Sequence, residues 1–246
     1  MKALLKKEFK ENFVKFVIET VLLVGITFSL FPYGYRLTQR INPNLLNSIK
    51  IMGNASNFFA KLKDINFFIY SQWFGKNLFE MALLFAVVNA VGIIAGETER
   101  KTAVFLFSRP VSRAKIFSAK LIAVILYTLL PIVLSTYLII PLSHNIPQKI
   151  NLVLMNKLLF QSLVATTAAI SLTIVFSVLI NDRVKAGIAS FAVIIASIAL
   201  GSVKTFHRIN FINFYIGKFS VYVTSGIVLS AILIFTALFL LLKKEI

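Results

Sequence analysis

The sequence predicts an all-α, polytopic membrane protein. It should have six transmembrane helices, an N-terminal amphipathic interfacial helix and a short cytoplasmic helix after the second span. Three observations carry this. Hydrophobic residues make up 58% of the 246 and charged ones 14%, with a mean hydropathy of +0.86, against about 25% charged in an ordinary soluble domain. Six apolar runs are each long enough to cross a hydrocarbon layer of ~30 Å at about 1.5 Å per helical residue. The basic residues fall mostly between those runs, where they flank spans and meet anionic headgroups.

The runs are Phe16–Tyr35, Leu78–Gly96, Leu121–Leu142, Leu158–Ile180, Ala186–Val203 and Val221–Leu242. Together they form one transmembrane unit over residues 1–246. The opening residues are too charged for a cleavable signal peptide and lack a small-residue cleavage site. With the N-terminus inside, the inner segments hold 15 Lys or Arg and the longer outer segments 11. That density ratio of about two places both termini in the cytoplasm.

In residues 1–15 and on to Phe16, Leu5, Phe9, Phe13 and Phe16 make one apolar stripe, with Lys6, Lys7, Lys10 and Glu11 off it. That pattern predicts a helix lying along the inner surface; a cytoplasmic extension of the first span is the alternative. Before the second span, Phe67, Phe68, Tyr70, Trp73 and Phe74 crowd into residues 65–74. Such rings suit headgroup depth, so an outer interfacial helix or re-entrant turn is expected there.

The net charge of +17 does not point to nucleic acid, because the basic residues track span ends. Cysteine is absent, which removes disulfides, thiolate metal sites and cysteine nucleophiles. Gly75-Lys76 and Gly217-Lys218 lack the remainder of a phosphate-binding loop. The two histidines, His144 and His207, fall in different outer loops. No catalytic, cofactor or metal site is expected in this chain.

The inner loop after the second span carries more information. Glu97, Glu99 and Arg100 lead through Thr102 to the apolar Val104, Phe105 and Leu106, then to Ser108, Pro110, Ser112 and Arg113. Thr102 can cap a short helix, Pro110 ends it, and Ser112 can cap the helix that enters the third span. An amphipathic helix parallel to the membrane can dock into a groove on a cytoplasmic partner or rest on lipid; spacing leaves both open. Arg113 is placed to pair with Glu97 or Glu99.

An acidic residue at the end of the second span, Thr102, Phe105-Leu106-Phe107, Ser108, Pro110-Val111-Ser112-Arg113 and then Lys120 resemble the permease subunits of type 2 ABC transporters. Gln72-Trp73-Phe74 before the second span fits the same pattern. Lys101 departs from it, since members often carry Gly before that Thr. The resemblance implies an exporter-type permease with no ATPase of its own, paired with a second permease chain, identical or related. Two separately encoded ATP-binding subunits would carry ATP and Mg, and the 97–113 loop would be the coupling helix. It also implies the cytoplasmic membrane of a bacterium or archaeon.

Within the spans, Glu80 and Asn89 are polar, and charge at membrane depth is functional by default. Glu80 lies two residues into its run, which suits headgroup level; Asn89 should face another helix. Gly92 and Gly96 permit close helix approach. Ala165, Thr166, Ala169 and Thr173 in the fourth span, and Ala192, Ala196, Ser197 and Gly201 in the fifth, read as packing faces. Two other readings stand beside this one: an ion-gradient-driven carrier built on Glu80 and Asn89, and a non-transporting membrane anchor that recruits a cytoplasmic protein through the 97–113 loop. Reporter fusions at Ile246 should report from the cytoplasm; an external signal overturns the six-span orientation.

Overall fold

The computed structural model describes residues 2–40, 55–102 and 111–244. Val104, Phe105, Leu106, Ser108 and Pro110 of the expected coupling helix lie outside them. The described chain is helical. Its elements are α1 (Lys2–Ser29), a π-helical turn (Leu30–Gly34), α2 (Tyr35–Arg40), α3 (Ala55–Lys61), α4 (Ile65–Phe68), a π-helical stretch (Ile69–Asn77), α5 (Leu78–Ala90) and α6 (Ala95–Glu99). Next come α7 (Arg113–Tyr137), α8 (Ile139–Leu142), α9 (Leu152–Leu179), α10 (Arg183–Gly201), a 3₁₀ turn (Lys204–Ile209), α11 (Asn213–Ile216) and α12 (Phe219–Lys243).

Among the described residues, five helices are long and apolar enough to cross a membrane. The last four sequence-predicted spans match α7 with α8, α9, α10 and α12 to within a few residues at most ends. α7 starts eight residues and α9 six residues before the expected run, because Lys120 in the one and Asn156-Lys157 in the other interrupt the apolar run without breaking the helix. Pro131 sits inside α7 without ending it.

The N-terminal helix differs from expectation. No separate surface helix precedes the first span; α1 runs unbroken from Lys2 to Ser29 and continues helically to Arg40. Its buried side carries Glu8, Glu19, Leu23 and Thr27, whereas Phe9 and Phe13 are exposed. The apolar stripe therefore divides: Phe9 and Phe13 face outward, while Leu5 and Phe16 are half-buried against the core beside the polar side. Pro32 lies in the π-helical turn, where the local rewinding accommodates a residue without a backbone donor.

The aromatic segment also differs. α4 and the π-helical stretch join α5 end to end, so helical backbone runs from Ile65 to Ala90. Trp73 and Phe74 are fully buried. The Trp73 indole N–H donates to Thr136 Oγ1 of α7 at 3.1 Å, so its polar edge finds a partner inside the bundle rather than at the headgroups.

The second span does not continue to Gly96. It breaks at residues 91–94 and restarts as α6. Backbone groups freed by a break cost several kcal/mol each in a dry interior unless they are bonded. Ser177 of α9 meets that need: its hydroxyl accepts from the Ile94 and Ala95 amides at 3.1 and 3.0 Å and donates to the Val91 carbonyl at 2.8 Å.

α9 is the central helix, packing most extensively on α12, while α1 packs most extensively on α7; α5 contacts both α7 and α9. The fourth-span face is a packing face as expected: Ala165, Thr166, Ala169 and Thr173 are fully buried. Their small side chains let α5 and α12 approach closely. The fifth-span face divides, with Gly201 buried but Ala192 and Ala196 exposed.

Ser177→Ala should lower unfolding stability by about 2–3 kcal/mol, since it strands three buried backbone groups. Ser225→Ala on exposed α12 surface should stay within about 0.5 kcal/mol. Denaturant titration in mixed micelles compares the two.

Candidate functional site

The polar side of α1, the end of the second span and the first turns of α7 enclose a cavity of about 320 Å³. Helical spacing puts Glu8, Asn12, Lys15 and Glu19 on one face of α1, each three or four residues from the next. α7 faces them with Lys120, Val124 and Tyr127, and the second span contributes Asn89, Gly92, Gly96 and Glu97.

Lys120 is the centre of this arrangement. Its side chain is 7% exposed, and its ammonium lies 2.8 Å from Glu97 Oε1 and 3.0 Å from Glu8 Oε1. One buried cation thus joins the N-terminal helix, the end of the second span and the start of the third. Glu97 Oε2 accepts from the Thr102 hydroxyl at 2.5 Å. Burial alone would raise the Glu97 carboxyl. Hydrogen bonds from Lys120 and Thr102 and the charges of Lys120 and Lys7 outweigh it and hold the group below its ordinary 4.5.

The turn that carries Thr102 has a specific geometry. The Lys101 amide donates to Thr98 and the Thr102 amide to Glu97 at 3.1 and 2.9 Å, which closes α6 in the paired-bond cap that needs a left-handed residue. Lys101 is that residue, with φ 58°. Lysine therefore takes the conformation glycine holds most easily, at the position where the sequence departs from the type 2 pattern.

Deeper in the cavity, Asn89 Nδ2 donates to Glu19 Oε1 at 2.6 Å and to Thr128 Oγ1 at 3.0 Å. Asn89 faces other helices, as expected, and its partner is a carboxylate buried within the first span. Glu19 Oε2 and Asn89 Oδ1 are buried with no hydrogen-bond partner among the described residues. Sequence reasoning passed over Glu8, Glu19 and Ser177. The available signal for the first two was the four-residue spacing of polar residues along α1.

The other expected residues separate. Arg113 does not take Glu97; it donates to the Leu241 and Lys244 carbonyls at 3.4 and 2.7 Å, at the C-terminal end of α12, where a cation meets the negative end of the helix dipole. Ser112 occupies the N-cap position of α7, but its side chain makes no capping bond. Glu99 and Arg100 are exposed. Glu80 is exposed on α5, in line with Leu84 and Val88, and outside this cavity. Gly96 makes a close approach: a Cβ there would lie 3.2 Å from Arg183 Cδ. Gly92 instead lies in the break and borders the cavity.

A family model described as ABC-2 family transporter protein matches residues 3–216. Comparison with curated proteins and with solved structures gives no match.

Lys120→Met should cost about 3–5 kcal/mol, because it leaves two carboxylates without their buried counter-charge; Lys120→Arg should retain most of that. The Glu97 contribution is present above pH 4.5 and is lost as pH falls through its depressed folded value. Glu97→Gln should therefore flatten the acid limb of the stability profile. Lys101→Gly should stabilise the chain by about 1 kcal/mol by relieving the left-handed lysine. Unfolding followed across pH in one detergent checks all three.

Proposed function

The chain belongs to the ABC-2 family of transporter proteins, and we propose that it is the membrane permease subunit of an ATP-driven exporter. It is a multi-pass membrane protein with several membrane-spanning helices. In this reading two permease chains form the pathway, each coupled to an ATP-binding subunit that supplies ATP and Mg, in a bacterial or archaeal cytoplasmic membrane. The helical stretch from Ile65 to Ala90 serves as the sixth span, and both termini are cytoplasmic.

The observation that supports this most is the Lys120 cluster. The 97–113 loop leaves the bundle from Glu97 and Thr102; Glu97 accepts from Thr102 and pairs with Lys120, which also pairs with Glu8 on α1. Force applied to the loop by a cytoplasmic subunit closing on ATP is therefore delivered to the first, second and third spans together. Glu97, Glu99, Arg100, Thr102, Val104, Phe105, Leu106, Ser108, Pro110, Ser112 and Arg113 are the proposed coupling residues. Rocking of the spans between two access states follows from such a link.

A second reading is favoured by one observation. Glu19 is a buried carboxylate bonded to Asn89 inside a span, a feature an ion-gradient-driven carrier uses. The two readings separate on energy source: vesicle transport driven by an imposed ion gradient, with no ATP-binding subunit present, supports the carrier.

Burying a phenylalanine is worth roughly 1.5–3 kcal/mol. Phe105→Ala should therefore weaken co-purification of the ATP-binding subunit by about ten- to a hundredfold. Arg113→Ala should reduce transport-coupled ATP hydrolysis more than assembly, since it loosens the junction of α7 with the end of α12. Normal assembly and normal coupled hydrolysis in both variants would reject the loop as the coupling element.

A further inference from the structure

At the end of the bundle opposite the Lys120 cluster, α10 and α12 stand apart over α9 and leave a groove of about 970 Å³. Its floor is Leu172 of α9, and its walls include Val193 of α10 and Leu229 and Leu233 of α12. Three basic side chains, His207, Arg208 and Lys218, ring its mouth, and no acidic residue lines it. All three are exposed. Among the described residues, Arg208 and Lys218 have no acidic partner within ion-pair distance. The 3₁₀ turn that carries His207 and Arg208 is tied to α10 through the Ser197 hydroxyl on the Ile209 carbonyl, and to α11 through Asn213 Nδ2 on the His207 carbonyl at 2.8 Å. The cationic rim is thus built onto the groove.

We propose that this groove is a binding site for one anionic phospholipid, its acyl chain between α10 and α12 and its phosphate at Arg208, Lys218 and His207. Apolar walls between two membrane helices accept a hydrocarbon chain, and unpaired cations at the membrane surface select a negative headgroup. Charge complementarity decides the occupant: a helix from a second copy would have to bring acidic residues to this rim, and this chain has 9 Asp and Glu against 26 Lys and Arg. A zwitterionic lipid would fill the walls but leave the rim unmatched.

The test is native mass spectrometry on the full chain in dodecyl maltoside, titrated with dioleoylphosphatidylglycerol, dioleoylphosphatidylcholine or inorganic phosphate. Phosphatidylglycerol should be retained at one per chain, with about a tenfold preference over phosphatidylcholine, and phosphate should not displace it. Arg208→Gln with Lys218→Gln should cut that preference about tenfold. These are exposed positions, so the fold should persist. Ser225→Phe, which puts a ring into the groove wall, should reduce retention of either lipid with the rim intact. Equal retention of the two lipids overturns the proposal, as does an unchanged preference in the double variant. Displacement by phosphate makes the mouth a bare anion site. Unchanged lipid retention with altered chain–chain association in Ser225→Phe makes the groove an interface between copies. None of these outcomes depends on an ATP-binding subunit.

Discussion

A buried ammonium cannot stand alone in a membrane protein, and the inner half of this fold is arranged around meeting that constraint for Lys120. Two carboxylates share it, one from the N-terminal helix and one from the end of the second span. Neither pairing is a surface contact that salt would screen away, because the lysine side chain is nearly enclosed. The cost of taking three charges out of water is offset only when all three are present in register. That makes the junction of α1, α6 and α7 close to all-or-none, with the cavity below it as a consequence.

The second span shows the same logic in backbone terms. A helix broken inside a membrane bundle needs polar partners brought from elsewhere, and Ser177 supplies three bonds from one hydroxyl. The short α6 that follows needs its own termination, which Lys101 provides in the left-handed region. Both devices place Glu97 where Lys120 can reach it. A chain that ran straight from Leu78 to Gly96 would send Glu97 elsewhere on the helix.

Much of the fold was legible because hydrophobicity over twenty residues is a strong signal. The last four apolar runs needed little else. The first span was read too short, since Lys6, Lys7, Lys10 and Lys15 lower the local hydropathy although the backbone never breaks. The stripe of Leu5, Phe9, Phe13 and Phe16 divides in the bundle, because the buried side of α1 is centred on Glu8 and Glu19: Leu5 and Phe16 border that side, and Phe9 and Phe13 turn outward. Glu19 was hidden by the apolar residues around it, because an average conceals a single carboxylate. The grouping of Glu97, Thr102 and Lys120 was visible only as a resemblance, and their separation of up to 23 positions gives no periodic signal. Arg113 shows the converse: its charge suggested Glu97 or Glu99, whereas among the described residues it reaches the Leu241 and Lys244 carbonyls at the end of α12.

The unbroken first helix carries the N-terminal region well past the length of a single span. From Leu4 to Arg40 it is 37 residues long, which at 1.5 Å each is about 55 Å, well beyond the ~30 Å of hydrocarbon it crosses. Glu8 holds this helix near one end through Lys120, and Tyr35 holds it near the other, its hydroxyl donating to the Lys63 carbonyl at 2.7 Å. The π-helical turn at Leu30–Gly34 lies between these two holds, with Phe31 fully buried in it. Fixed at two points so far apart, the helix is a brace along the bundle.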